Sequence, residues 1–194
     1  MILSNRDIQA ALDSGRLVID PEPYPRVPET PGKPCPYSTS SVDLTLGDEV
    51  SHFRESLAMS IDLRRGQFRD LFGPNSVSHR ITERQPYTLE PGQLVLGKTR
   101  ERIQLPLVDT EPCLAGRIEG KSSYARCGLL VHFTAPTVHA GFSGTITLEL
   151  INQGPLPILL YPGAPICQLI LEEVRGKPFD NPSRFQNQST AGGA

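Results

Sequence analysis

Proline and glycine constrain this chain more than any other residues. Nineteen prolines and seventeen glycines are spread through 194 residues. Proline fixes φ and has no N–H to give a helix or a central strand, and glycine supplies turns. From Tyr87 onward, strand-like apolar runs are cut by Glu90-Pro91-Gly92, Leu105-Pro106 and Tyr161-Pro162-Gly163. Short strands with turn signals every eight to twelve residues, roughly, predict a β-sandwich or jelly roll. Seven prolines fall within residues 21–36. That stretch is expected to be an extended surface loop.

One helix is expected near the start. Ser4 followed by Asp7 has the spacing of a capping box, and Leu3 and Ile8 stand where a hydrophobic staple would pack. Ile8, Ala11 and Leu12 form an apolar stripe, and Gly15 is a natural stop. Beyond the proline-rich loop, SSVDLTLGDEV alternates Val42, Leu44 and Leu46 on one face, a strand pattern. Residues 64–72 suit a second short helix. The length fits a single domain over residues 1–194, with a helical region at 1–20, the loop at 21–36 and a polar tail at 175–194.

Charge and composition remove several function classes. Nineteen basic and 21 acidic residues give a formal net charge of −2, which is no footprint for duplex nucleic acid or an anionic membrane. No apolar run is long enough to span a bilayer. Without tryptophan there is no stacking platform for single strands. Cys35, Cys113, Cys127 and Cys167 follow no pattern, which suggests reduced thiols and a cytoplasmic location.

The chemistry is concentrated in residues 119–152, EGKSSYARCGLLVHFTAPTVHAGFSGTITLELIN. A Gly-Lys-Ser-Ser-x-x-Arg cluster offers hydroxyls and two cations to an anion. Further on, Glu149 interrupts the strand-like run TITLELI. Alternation puts Ile146, Leu148 and Leu150 on one face and Thr145, Thr147 and Glu149 on the other. This combination suggests a nucleotide site with a carboxylate general base. A P-loop would need glycine at position 115, which is Ala115, and a helix after the serines. A zinc deaminase would need H-x-E and P-C-x-x-C; neither is present, so no zinc is expected.

The same segment resembles the core signature of the dCTP deaminases in the trimeric dUTPase superfamily. The family pattern runs Gly-[Arg/Lys]-Ser-Ser-x-x-Arg-x-Gly-Leu, then His-x-Thr-Ala-x-x-Ile-Asp-x-Gly-[Trp/Phe]-x-Gly, then Leu-Glu. The resemblance implies a mainly β, distorted jelly-roll fold with a few short helices, and a homotrimer with active sites shared between subunits. It implies that Glu149 activates water for attack on C4 of dCTP, giving dUTP and ammonia. Ser122, Arg126 and the Ala135 carbonyl would line the reacting centre. Lys121, Ser122, Ser123, Tyr124, Ala125, Arg126, His139, Thr147, Leu148 and Glu149 would contact the nucleotide. From the tail, Phe179, Arg184 and Gln188 would close over it, resembling the family's aromatic and Lys-Tyr-x-x-Gln pattern. Mg²⁺ would ride on the triphosphate, with no protein side chain as ligand, and dTTP would bind the same site as a feedback inhibitor.

Three departures bear on the product. His139 replaces the family aspartate that contacts the 3′-hydroxyl, which argues against a bifunctional deaminase–diphosphatase making dUMP and pyrophosphate. Thr137 stands where monofunctional bacterial relatives often have arginine, which points the other way. Phe179 replaces a tyrosine. With His139, it is the hint for a further alternative, a catalytically weak nucleotide-binding regulator on the same scaffold.

Overall fold

The computed structural model describes residues 1–55, 60–62, 64, 68–109, 111–181 and 185–192. In chain order the elements are α1 (Asn5–Asp13), β1 (Val18–Asp20), β2 (Tyr37–Ser38), β3 (Ser41–Phe53), α2 (Phe68–Asn75), β4 (Ser76–Arg80), β5 (Tyr87–Leu89) and β6 (Leu94–Gln104). Then follow β7 (Leu114–Gly120), α3 (Ser122–Ala125), β8 (Leu129–Val131), β9 (Thr137–Val138), β10 (Ser143–Asn152), β11 (Ile158–Leu160) and β12 (Pro165–Glu173).

The principal sheet runs β8-β10-β6-β3-β12-β7-β9, with β1 on β6 and both β2 and β4 on β3. Its pairings are antiparallel, as is the separate pair of β5 with β11. The sheet curls because β3 serves two layers. Val42, Leu44 and Thr45 pair with β12, whereas Leu46, Val50 and Ser51 pair with β6. The register shifts between Leu46 and Val50, and an irregularity of this kind bends a strand and strengthens its twist. Gly47 lies at the bend. A Cβ there would meet Lys98 Cγ at 3.0 Å, so the two strands close only over a glycine.

The expected capping box is present. Asp7 N donates to Ser4 Oγ, and Ser4 N donates back to the Asp7 carboxylate. Ile8 and Ala11 are buried, and Gly15 follows the helix in the left-handed region at φ 74°. Residues 21–36 contain neither helix nor strand; Arg26 ties the loop to Glu22 and to Asp13 of α1. The helix expected over 64–72 is α2, shifted later to Phe68–Asn75, with Pro74 in its last turn. Residues 63 and 65–67 of that expectation lie outside the described residues.

The core is built from alternate strand positions. Val42, Leu44 and Leu46 are fully buried, as are Leu148 and Leu150. Along β10, buried and half-buried residues alternate without a break, so Thr145, Thr147 and Glu149 share the face that leaves the core. Opposite the shift between Thr145 and Thr147, the fully buried Thr99 hydroxyl donates to the Glu101 carbonyl (2.7 Å) and accepts from Ile146 N (2.9 Å). That hydroxyl replaces the ladder bonds lost at the bulge.

Candidate active site

Glu149 projects from β10 into a cavity of about 890 Å³. Thr147 lies beside it on the same strand face, and His132, Ala135, Thr137 and His139 line the cavity from the segment between β8 and β10. Phe53, Phe72 and Leu94 are among its apolar lining. A few polar groups in a largely apolar recess are a common form for a small-molecule site.

His132 governs the carboxylate. It has φ 51°, an uncommon conformation for a residue other than glycine, and its N–H donates to the Glu149 carbonyl at 2.9 Å. The conformation turns the imidazole back onto the same residue, bringing Nδ1 to 2.7 Å from Oε2. The pair is close, but it lies off the line of a straight N–H···O bond. Burial pushes the Glu149 carboxyl up, but His132 outweighs it through contact and charge, and the net position is below the ordinary carboxylate range. Glu149 is thereby kept ionised, as a proton acceptor must be. The Thr147 hydroxyl is buried with no hydrogen-bond partner among the described residues.

The residues expected at the site divide into three groups. Glu149, Thr147, Ala135, His139, Phe179 and Gln188 all line the cavity. Leu148 points the opposite way, with its side chain fully buried in the core, which leaves only its backbone. The cluster Lys121, Ser122, Ser123, Tyr124, Ala125 and Arg126 does not line this cavity. It forms the single helical turn α3 at the end of β7, a shorter element than a P-loop helix. Tyr124 packs on the core, and Ser122, Ser123 and Arg126 are exposed. Lys121 pairs with Asp43 of β3 at 2.5 Å, and Gln168 Nε2 reaches the other Asp43 oxygen at 3.3 Å. Arg184 lies outside the described residues.

Gln188 is only 6% exposed, and its amide donates to the Thr145 carbonyl at 2.7 Å. Phe179 is 86% exposed at the mouth. His132 was missed as a partner of Glu149, although the His-x-Thr-Ala motif was visible. Among the described residues there is no group of three or more His, Cys, Asp or Glu placed to hold a metal ion. No helix there is long and apolar enough to cross a membrane.

The fold and this arrangement match one protein class. The family model described as dCTP deaminase-like matches residues 2–174. The "dCTP deaminase, dUMP-forming" of Dictyoglomus thermophilum is 38% identical over 194 residues, covering 97% of this chain and 91% of its own. The "dCTP deaminase" of Thermomicrobium roseum is 40% identical over 174 residues, 90% of this chain and 80% of its own. The crystal structure of the 2′-deoxycytidine 5′-triphosphate deaminase from Agrobacterium tumefaciens superposes with a TM-score of 0.62 at 17% identity. That match covers 89% of this chain and 48% of the other, so the protein spans about half of that neighbour, and the likeness is one of fold. The chain belongs to the dCTP deaminase-like family.

Proposed function

We propose that this protein deaminates dCTP hydrolytically and carries the nucleotide on to dUMP. The observation that carries the first step is Glu149, held ionised by His132 in the wall of a recess that can take a pyrimidine nucleotide. Glu149 takes a proton from water, and the hydroxide adds to C4. The carboxylic acid then returns that proton to the amino group as the C4–N bond breaks, and the hydroxyl proton passes to N3, so ammonia leaves and uracil remains. A placed base of this kind contributes about 10²–10⁴-fold; orientation and polar contacts at C4 supply the rest.

The second step is hydrolysis at the α-phosphorus, with pyrophosphate leaving. The dUMP-forming name of the Dictyoglomus relative supports it, as does the absence of arginine at Thr137. A second reading, release of dUTP, is favoured by one residue: His139 replaces the carboxylate that would orient the second water.

The Lys121 to Arg126 turn does not line the cavity of its own chain. This supports an assembly, a homotrimer by resemblance, in which a second copy brings Ser122 and Arg126 to Glu149. Mg²⁺ would be held by triphosphate oxygens and water, with Lys121, Ser122 and Ser123 disposed toward the phosphates. dTTP, carrying the same deoxyribose triphosphate, would compete for the cavity. Four free thiols suit a reducing, cytoplasmic setting.

The test is a product assay. The purified protein is incubated with dCTP and Mg²⁺, ammonia is quantified and the nucleotides are resolved. Ammonia with dUMP and pyrophosphate bears out the proposal, and ammonia with dUTP selects the second reading. Bound dCTP without ammonia overturns both and leaves a nucleotide-binding regulator.

A further inference from the structure

We propose that Gln186 is a positioning residue that sets the turn carrying His139 and thereby tunes nucleotide affinity; this rests on the nucleotide reading of the cavity given above. The turn spans residues 139–142. Phe142 N donates to the His139 carbonyl at 3.1 Å, and Gly141 is in the left-handed region at φ 86°. Leu105 holds one side of the turn through two backbone bonds, Gly141 N–H to the Leu105 carbonyl and Leu105 N–H to the Phe142 carbonyl. The Gln186 amide holds the other side. Its Oε1 accepts from Ser143 N at 2.9 Å, and its Nε2 donates to the Gly141 carbonyl at 2.8 Å. One planar group thus bridges the residues on either side of Phe142.

Glutamine has the chemistry for this position. Its one amide carries both an acceptor and a donor, which is what Ser143 N–H and the Gly141 carbonyl require. A glutamate would set a carboxylate oxygen against the Gly141 carbonyl. A lysine would have nothing to offer Ser143 N–H.

The segment bearing Gln186 has its own anchors. Asn187 N donates to the Ser143 carbonyl, and Thr145 N donates to the Gln188 carbonyl at 3.0 Å. Arg102 reaches both Ser143 Oγ and Asn187 Oδ1, and Lys98 Nζ reaches the Ser189 carbonyl at 2.8 Å. Gly144 admits this contact, since a Cβ there would come within 3.1 Å of Gln188 N. The strap therefore stays docked when Gln186 alone is changed, and the amide's effect can be measured in isolation.

The experiment compares the whole unaltered protein with Gln186→Met and Gln186→Glu, by amide hydrogen exchange in the free protein and by dCTP kinetics. The Ser143 amide should exchange at least about tenfold faster in Gln186→Met, which offers it no acceptor, whereas Gln186→Glu keeps the acceptor and loses only the donor to the Gly141 carbonyl; Thr145 should keep its protection in both, because it bonds to Gln188 rather than Gln186. KM for dCTP should rise about tenfold with kcat within about threefold, the split expected when binding geometry is loosened but the base is untouched. Gln186→Glu should be the worse of the two. Unchanged Ser143 exchange in Gln186→Met, or an unchanged KM, overturns the proposal. So does faster exchange at Thr145 as well, which would mean a merely structural strap that has come loose. If the unaltered protein binds no nucleotide while Ser143 still responds, the nucleotide reading has failed and the tuning role falls with it.

Discussion

His132 touches Glu149 twice, through its backbone N–H at 2.9 Å and its imidazole Nδ1 at 2.7 Å. One residue in a left-handed conformation therefore fixes both the strand carrying the base and the carboxylate itself. His132→Ala removes the ring and leaves an alanine in a conformation it disfavours. We predict a loss of about 10–10²-fold in kcat, since the base keeps its place but loses its partner. Steady-state kinetics check it, with circular dichroism to establish that the fold is kept.

Glu149→Gln keeps the shape of the side chain and removes the base. Turnover should fall by about 10²–10⁴-fold, while dCTP binding measured by calorimetry changes little. Near-normal turnover would exclude Glu149 as the proton acceptor.

The pH dependence has a definite sign. The Glu149 carboxyl lies below its ordinary range in the folded protein, because His132 outweighs the opposing effect of burial. Its contribution to stability is present above the unfolded value of about 4.3 and is lost as pH falls through the lower folded value. Activity limited by this base should therefore hold down to about pH 5 and fall only in more acid solution. In His132→Ala, only a backbone hydrogen bond is left to oppose burial, so the acid limb of kcat should move to higher pH. A limb that stays in place in the variant would show that His132 does not control the carboxylate.

Gly128 and Gly154 meet where α3 joins β8. A Cβ on Gly128 would lie 2.2 Å from Gly154 N, and one on Gly154 would lie 2.2 Å from the Cys127 carbonyl oxygen. Gly128 also has φ 92°. Gly128→Ala should cost about 2–4 kcal/mol, by overpacking and by backbone strain together. Urea unfolding measures this, and a change under about 0.5 kcal/mol would contradict the close approach.

Local signals were legible in the sequence and remote ones were not. The Ser4–Asp7 capping box and the alternating faces of β10 depend on residues a few positions apart, so spacing alone reveals them. The pairing of His132 with Glu149 depends on a positive φ, which histidine does not advertise. Residues 186–189 read as a polar tail because asparagine, glutamine and serine favour solvent, yet here their amides pair with β10 and Gln188 is buried. The resemblance places the Lys121 to Arg126 cluster at Glu149 in a site shared between subunits; within one chain the cluster lies outside the cavity. Its position is set by β7 pairing with β12, whereas Glu149 rides on β10 between β6 and β8. No motif spacing encodes that separation.

The double membership of β3 has a consequence for how the chain is made. Its partner β6 follows about fifty residues later, but β12, the partner on its other edge, begins at Pro165. During synthesis at roughly 5–20 residues per second, the β3 edge from Val42 to Thr45 and one edge of β7 stay open until β12 has emerged. Open edges invite pairing with other chains. The nascent protein is thus an incomplete sheet until β12 arrives, and a stop codon placed before residue 165 should yield aggregate rather than a smaller folded unit.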